Sequence, residues 1–375
     1  MKKRVLLLST VHPPTDPRIV YKTAPSLAQK YEVFLALPNL LTAPSEDASI
    51  ATIRLPLYRH LLFRLLFCHP IVLWKCLRLR PAVLHIFVPE LIPIAFLFRA
   101  LGATVVYEIQ ENLYKKFSIK HYNKAAIFQY FFRLFDHLAR RYFHCIFTED
   151  AYQIEYSALT FEPAIIHNFP SLNFLDRLPQ ASFANPSSAP TFFYSGVISI
   201  ERAFDTLVAA FALLKQKYPE FKVLLFGPFQ VSAAALHEIA DFEKVKPHLT
   251  FYGYTDQRIA LSYAAHCTAG LALLKPVGDY PDSYTTKLFE YMALQLPVIT
   301  SDFALYQQVV VRHGCGFCIS PYNAQQLADA MIELIENPVK AKEMGTNGRS
   351  AVEKHYNWRN EEHLLIRYYA SLFTK

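Results

Sequence analysis

Charge is scarce in this chain, and what else it lacks sets the first limits on it. Only 18% of its 375 residues are charged while 53% are hydrophobic, so there is too much apolar side chain to bury for the chain to stay disordered. The six cysteines are scattered apart from Cys315 and Cys318. That spacing builds no disulfide framework, and the lone C-x-x-C lacks the second pair that a zinc site needs, so a buried strand edge is its expected role. The opening MKKRVLLLST is basic and then apolar, but only about five apolar residues precede His12-Pro13-Pro14, short of the ~7 to 15 of an export signal. The expected location is therefore cytoplasmic. No G-x-G-x-x-G follows the first apolar run, which disfavours a plain dinucleotide-dependent dehydrogenase. Short internal repeats and low-complexity tracts are absent, and no cluster of carboxylates demands a metal.

What is present alternates. At 375 residues the length suits two domains of about 150 to 190 residues, each large enough for a core. Strands are expected at 4–9, 31–37, 50–55, 82–87, 104–109, 145–148 and 164–167, with helical patterns between most of them; Asp16-Pro17 reads as a helix start with Asp as cap. After a Pro/Ser/Ala-rich stretch around 179–190 the alternation resumes, with strands at 191–195, 221–226, 248–252, 269–274 and 297–300 and helices at 202–217 and 231–243. The expected class is α/β, two Rossmann-like domains facing across a cleft. The domains are drawn as 1–170, a linker 171–190, 191–352, and a helix 353–375 packing back toward the first domain. Ligands of such sheets bind beyond the carboxyl ends of the strands, where the loop Thr10–Asp16 falls.

Residues 273–302, LLKPVGDYPDSYTTKLFEYMALQLPVITSD, read as loop, helix from Tyr284 to Gln295, then strand. At about 100° per residue Ser283, Lys287 and Glu290 share one stripe of that helix. A helix N-terminus beside an ammonium suits phosphate, and a carboxylate two turns on suits a ribose diol. The same spacing also describes an ordinary amphipathic helix with one solvated face.

The segment KLFEYMALQLPVITSD resembles the donor-binding motif of retaining glycosyltransferases of the GT-B fold, family four or "group 1", with Asp282 and Glu290 at its two acidic positions. Asp282 stands where the family has Glu, and Gln295 and Leu296 stand near its usual Gly. The opening HPPTDPRIVYKTAPSLAQKYEVFLA is similar to one branch of the same family. The run VLHIFVPELIPIAFLFRALGATVVYEIQEN resembles the family's acceptor-side motifs, with Phe87, Val88, Glu108 and Gln110 in place of its His, Asp, Asp and His. YSGVISIERAFDTLVAAFALLK resembles its phosphate-binding loop, with Val197 at one basic position and Arg202 at the other.

The resemblance implies retaining, metal-independent transfer of a hexose-type sugar. The donor would be a nucleotide-diphosphate sugar, bound as substrate with no further cofactor. Arg202, Lys287 and the helix N-terminus would neutralise the diphosphate, Glu290 would hold ribose, and Asp282 and Ser283 would touch sugar or phosphate. Glu90, Glu108, Glu111 and His12 are the candidates for catalytic polar work. The implied acceptor is a glycan or lipid-linked oligosaccharide of surface polysaccharide synthesis. The departures at Phe87, Val88, Gln110 and Val197 keep a second reading open, a catalytically silent subunit that binds nucleotide sugar, lipid acceptor or an active partner. Another GT-B enzyme, an epimerase or phosphorylase, is a third.

Charge is also uneven along the chain. Residues 1–170 hold 20 Lys/Arg against 12 Asp/Glu, and the remainder 18 against 19. Residues 59–81 contain five Lys/Arg and no acid amid Leu, Phe and Trp, and 127–143 repeat the theme. Both fall short of the ~20 apolar residues of a membrane span. Two roles stay open for them: amphipathic helices on an anionic membrane surface, or core-facing helices with snorkelling cations. Nucleic acid is not an expected partner, because no motif for it accompanies the basic residues.

Overall fold

The computed structural model describes residues 2–40, 50–116, 126–178 and 189–373. Contacts divide the chain into two units, residues 1–168 with 358–375, and residues 169–357.

The first unit is built on seven parallel strands: β1 (Arg4–Leu8), β2 (Glu32–Pro38), β3 (Ile50–Leu55), β4 (Val83–Ile86), β5 (Thr104–Ile109), β6 (His144–Phe147) and β7 (Ala164–Ile165). Their order is β3-β2-β1-β4-β5-β6-β7. Val5, Leu6, Leu7 and Leu8 are all fully buried, as a central parallel strand covered on both faces requires. The sheet's winding reverses beside β1, whose neighbours are β2 and β4, so the loop after β1 stands at a switch point. Asp16 caps the following helix as expected: its Oδ1 accepts from the backbone N–H of Arg18 at 3.0 Å and of Ile19 at 2.9 Å. One face of the sheet is covered by a core containing Val72, Phe98, Ala139 and Phe143. The other face packs on Ile19, Leu27 and the terminal helix Trp358–Ser371, through Trp358, Leu365 and Tyr369.

The second unit repeats the plan with β8 (Thr191–Ser195), β9 (Lys222–Phe226), β10 (Leu249–Gly253), β11 (Ala269–Ala272), β12 (Val298–Ser301) and β13 (Gly316–Ile319). All pairings are parallel and the order is β10-β9-β8-β11-β12-β13. The architecture is thus two Rossmann-like α/β units. Strand β13, which the alternation had not revealed, is the sheet edge that carries Cys318, with buried Cys315 just before it; both thiols are free.

Several expected boundaries are corrected. The helix expected over 284–295 spans Thr286–Ala293, because Thr285 is extended and Gln295 is left-handed at φ +58°. Arg202 lies in a short turn, Ile200–Arg202, and left-handed Ala203 separates it from the helix Phe204–Lys217. The helix expected over 231–243 is two short ones, Ala233–His237 and Phe242–Val245. The expected linker 171–190 opens instead with a helix, Leu172–Leu175, whose Leu175 is buried in the second unit; residues 179–188 lie outside the described residues. The segment that joins the first unit begins at Trp358 rather than at 353. Among the described residues no helix is long and apolar enough to cross a membrane.

Candidate functional site

At the carboxyl end of β8 the chain passes through Gly196, φ +131°, and at the end of β9 through Gly227, φ +140°. Both conformations favour glycine. A Cβ on Gly227 would lie 1.9 Å from the Gly196 carbonyl oxygen, so the two loops pack backbone on backbone. Gly196 N–H donates to Phe226 O and Gly227 N–H to Gly253 O, each at 2.8 Å. Three neighbouring strand ends are therefore tied together by glycine-rich turns.

Two cations meet on this crest. A Cβ on Gly196 would stand 2.9 Å from Arg202 Nη1 and 3.6 Å from Lys287 Nζ. Lys287 comes from the first turn of the Thr286–Ala293 helix, and Tyr291, one turn later, fixes that helix to β8. The Ser195 N–H donates to the Tyr291 hydroxyl at 2.8 Å. The Tyr291 ring leaves no room for a side chain at Gly270, where a Cβ would come within 2.3 Å of it. Lys287 is only 4% exposed. Its ammonium lies 4.0 Å from the Tyr194 ring centroid and has no hydrogen-bond partner. Burial pushes the Lys287 pKa well below the usual lysine range, and Arg202 beside it adds to the shift, while Glu290 opposes it. A buried amine nitrogen without a hydrogen-bond partner, next to a guanidinium and a bare glycine backbone, is a place prepared for an anion.

Glu290 completes this group. It is buried, and its Oε1 accepts from Gln257 Nε2 at 2.5 Å. Asp282 is exposed in the short turn Tyr280–Asp282, and half-buried Ser283 is held by its carbonyl, which accepts from the Tyr306 hydroxyl at 3.1 Å. Of the five donor candidates, the structure thus gathers Arg202, Lys287 and Glu290 and sets Asp282 and Ser283 on the approach to the helix. Gln257, Tyr291, Gly196 and Gly253 belong to the site and were not singled out in the sequence. The signal of the two glycines, one just after β8 and one ending β10, is visible only once the strands are ordered.

The four catalytic candidates in the first unit separate. His12 and Glu90 stand at the ends of β1 and β4. His12 Nδ1 lies 2.7 Å from Ser9 Oγ, and Thr10 Oγ1 donates to Glu90, which Arg64 also grips, Nε to Oε1 at 2.8 Å and Nη2 to Oε2 at 2.8 Å. Glu111 is exposed just after β5. Glu108 is a correction: it lies in the interior, 1% exposed, with Arg18 donating to both carboxylate oxygens at 2.8 and 3.2 Å and Gln110 donating at 2.7 Å. Burial alone would raise its pKa, but Arg18 and His85 outweigh that and hold it well below the usual carboxylate range. Arg18 also donates to the carbonyls of Ile166 and His167. Glu108 is therefore committed to a structural ion pair and is unsuited to exchanging protons with a substrate. Phe87 is buried and stacks on His85, ring centroids 4.3 Å apart. Among the described residues no three His, Cys, Asp or Glu side chains gather to hold a metal.

A family model described as glycosyl transferases group 1 matches residues 179–351, the span that contains the cation pair and Glu290. The likeness to the group 1 glycosyl transferases is carried by this domain. Solved structures of the same fold extend the likeness over the whole chain. Sucrose-phosphate synthase from Thermosynechococcus elongatus is 18% identical, covers 99% of both chains and superposes with a TM-score of 0.73. HepE from Anabaena, solved in complex with UDP-glucose, is 14% identical over 99% of this chain and 100% of its own, TM-score 0.72. WaaG, a glycosyltransferase involved in lipopolysaccharide biosynthesis, is 14% identical with the same coverage and a TM-score of 0.69. At these identities the likeness fixes the GT-B fold. No curated protein matches the chain in sequence.

Proposed function

We propose that this group 1 glycosyl transferase moves a hexose-type sugar, with retention and without a metal, from a nucleotide-diphosphate sugar to a glycan or lipid-linked oligosaccharide. The observation that carries the donor half is Lys287: its buried, unpartnered ammonium beside Arg202 matches a diphosphate in charge and position. As the sugar leaves, negative charge grows on that diphosphate, and cations already in place stabilise it without reorganising. Glu290, steadied by Gln257, presents a carboxylate to the ribose diol. Asp282 and Ser283 face the phosphate or the sugar. His12, Glu90 and Glu111 remain the groups for the acceptor side, and Glu108 acts only by anchoring Arg18, which also holds the Ile166 and His167 carbonyls. Uridine is the first base to try, on the analogy of HepE and its UDP-glucose. A cytoplasmic place goes with this reading, and so does a role in surface polysaccharide synthesis, by analogy with WaaG and lipopolysaccharide.

The silent-subunit reading is favoured by one observation, the buried Phe87 stacked on His85 where the family has a polar side chain. Thermal unfolding with UDP, GDP, ADP and CMP tests the donor half. A nucleotide at about 100 times its dissociation constant adds ~2.7 kcal/mol. Wild type should be stabilised by one of them and Glu290→Ala by none; stabilisation of neither rejects the donor site. Release of free nucleotide from the sugar nucleotide then separates transferase from silent binder.

A further inference from the structure

The helices on one face of the first unit's sheet carry apolar side chains where a water-facing layer carries polar ones. Residues 61–76 form a continuous run, Leu61–Phe63, Arg64–Cys68 and His69–Cys76, the middle piece a wide π-turn. Cys68, Val72 and Cys76, four residues apart, form its buried stripe, and Arg64 turns inward to Glu90. Outside are Phe63, Leu65, Leu66, Phe67 and Trp74; Leu66 and Trp74 are each 64% exposed. Phe67 lies 6.1 Å from Phe63 and 5.9 Å from Tyr58 by ring centroids, an aromatic cluster on the surface. Of the two roles left open for this segment, the core-facing one does not describe these side chains. An amphipathic helix normally turns its apolar stripe to the core and its charges to water; here both faces are apolar.

The same layer continues through two further helices, because Val72, Phe98 and Ala139 share one core. Leu97 is exposed on the helix Ile92–Ala100 and Leu101 just beyond it, and Tyr130, Phe131 and Leu134 are exposed on Ala126–Tyr142. The charges among these side chains are of one sign. Exposed cations are Arg59, Lys75, Arg78 and Arg80 around the first helix, with Arg99, Arg133 and Arg141 on the other two. The three segments hold one acid, Asp136, and it is buried against Arg140 at 2.7 Å.

We propose that this layer is a docking surface for an anionic phospholipid bilayer, with the Phe, Leu and Trp side chains at the boundary of headgroups and acyl chains and the arginines and lysines on lipid phosphates. Exposed apolar area supplies the insertion, and a field of cations without exposed acids supplies the attraction to anionic headgroups. The inference stands independently of the donor site, which lies in the other unit.

The chain contains its own reporter. Of its two tryptophans, Trp74 is exposed on this surface and Trp358 is buried. With the full chain and phosphatidylglycerol vesicles, Trp emission should shift to the blue, acyl-brominated lipid should quench it, and the protein should sediment with the vesicles. Phosphatidylcholine vesicles should give none of this, and roughly 1 M salt, where the screening length falls to ~3 Å, should release the protein. The surface variants Leu66→Ser/Phe67→Ser and Lys75→Glu/Arg78→Glu should each weaken partition at least about ten-fold while leaving the melting temperature in place. Absence of a shift on phosphatidylglycerol, equal binding to phosphatidylcholine, or unchanged partition of both variants would overturn the proposal. So would a concentration-dependent dimer that Phe67→Ser dissolves while vesicles stay unbound, since the surface would then join two copies of the chain.

Discussion

Lys287 is the residue whose surroundings say most about chemistry. Without an anion its ammonium is disfavoured by burial and by Arg202, and its pKa is low. A bound diphosphate restores the charged form and raises that pKa. Between the two values binding takes up a proton, so nucleotide affinity should fall as pH rises through that window; calorimetry in buffers of different ionisation enthalpy measures the uptake directly. Lys287→Met should abolish both the proton uptake and most of the binding. Glu108 leads to a different expectation. Arg18→Ala leaves its buried charge uncompensated and should cost about 3–5 kcal/mol in denaturant unfolding, while Glu108→Gln should reduce stability and spare the chemical step. The sequence made Lys287 and Glu290 legible because they lie three positions apart on one helix. It hid the role of Glu108 because Arg18 is 90 residues away, and only the pairing of β1 with β4 and of β4 with β5 brings the two together.

Strands and helices were easier to read than their ends. Of the unit-one strands, β3 and β5 occupy the expected residues, since each is rich in β-branched side chains. Helix ends were misjudged where left-handed residues other than glycine stop the chain, Ala203 and Gln295, because nothing in an alanine or a glutamine announces that conformation. Strand β7 shows what a short element needs from its surroundings. Just after it, His167 has its N–H donated to Glu361 at 2.7 Å and its Nε2 3.0 Å from Asp150. Burial would lower the His167 pKa, but Asp150 and Glu361 outweigh it and push it up to about 9. A raised folded-state pKa means that the stabilisation is complete below the unfolded value of about 6.5 and is lost as pH rises through about 9. Stability measured by urea unfolding should therefore decline across that alkaline window, and His167→Gln should flatten the decline.

At the scale of the molecule, the two sheets share one strand order apart from the extra β7, but only the second unit is continuous in sequence. The first needs Trp358, Leu365, Tyr369 and Leu372, all buried against it, each contributing roughly 1.5–3 kcal/mol. A chain ended after Asn357 should lose the cooperative unfolding of its first unit and open it to protease, while the second unit still melts cooperatively and binds nucleotide. Equal protease resistance of both units would show the terminal helix to be dispensable. The return of the C-terminal segment also sets an order in time. Residues 1–168 leave the ribosome before 358–375, so the first unit cannot be completed until the second has been made. The first unit's sheet must wait, with the part of one face that Trp358, Leu365 and Tyr369 cover left open, through the synthesis of an entire second unit. During that interval the nascent chain presents a long apolar strand array to whatever binds unfinished proteins, and a stalled or truncated message yields a sound donor domain attached to an incomplete partner.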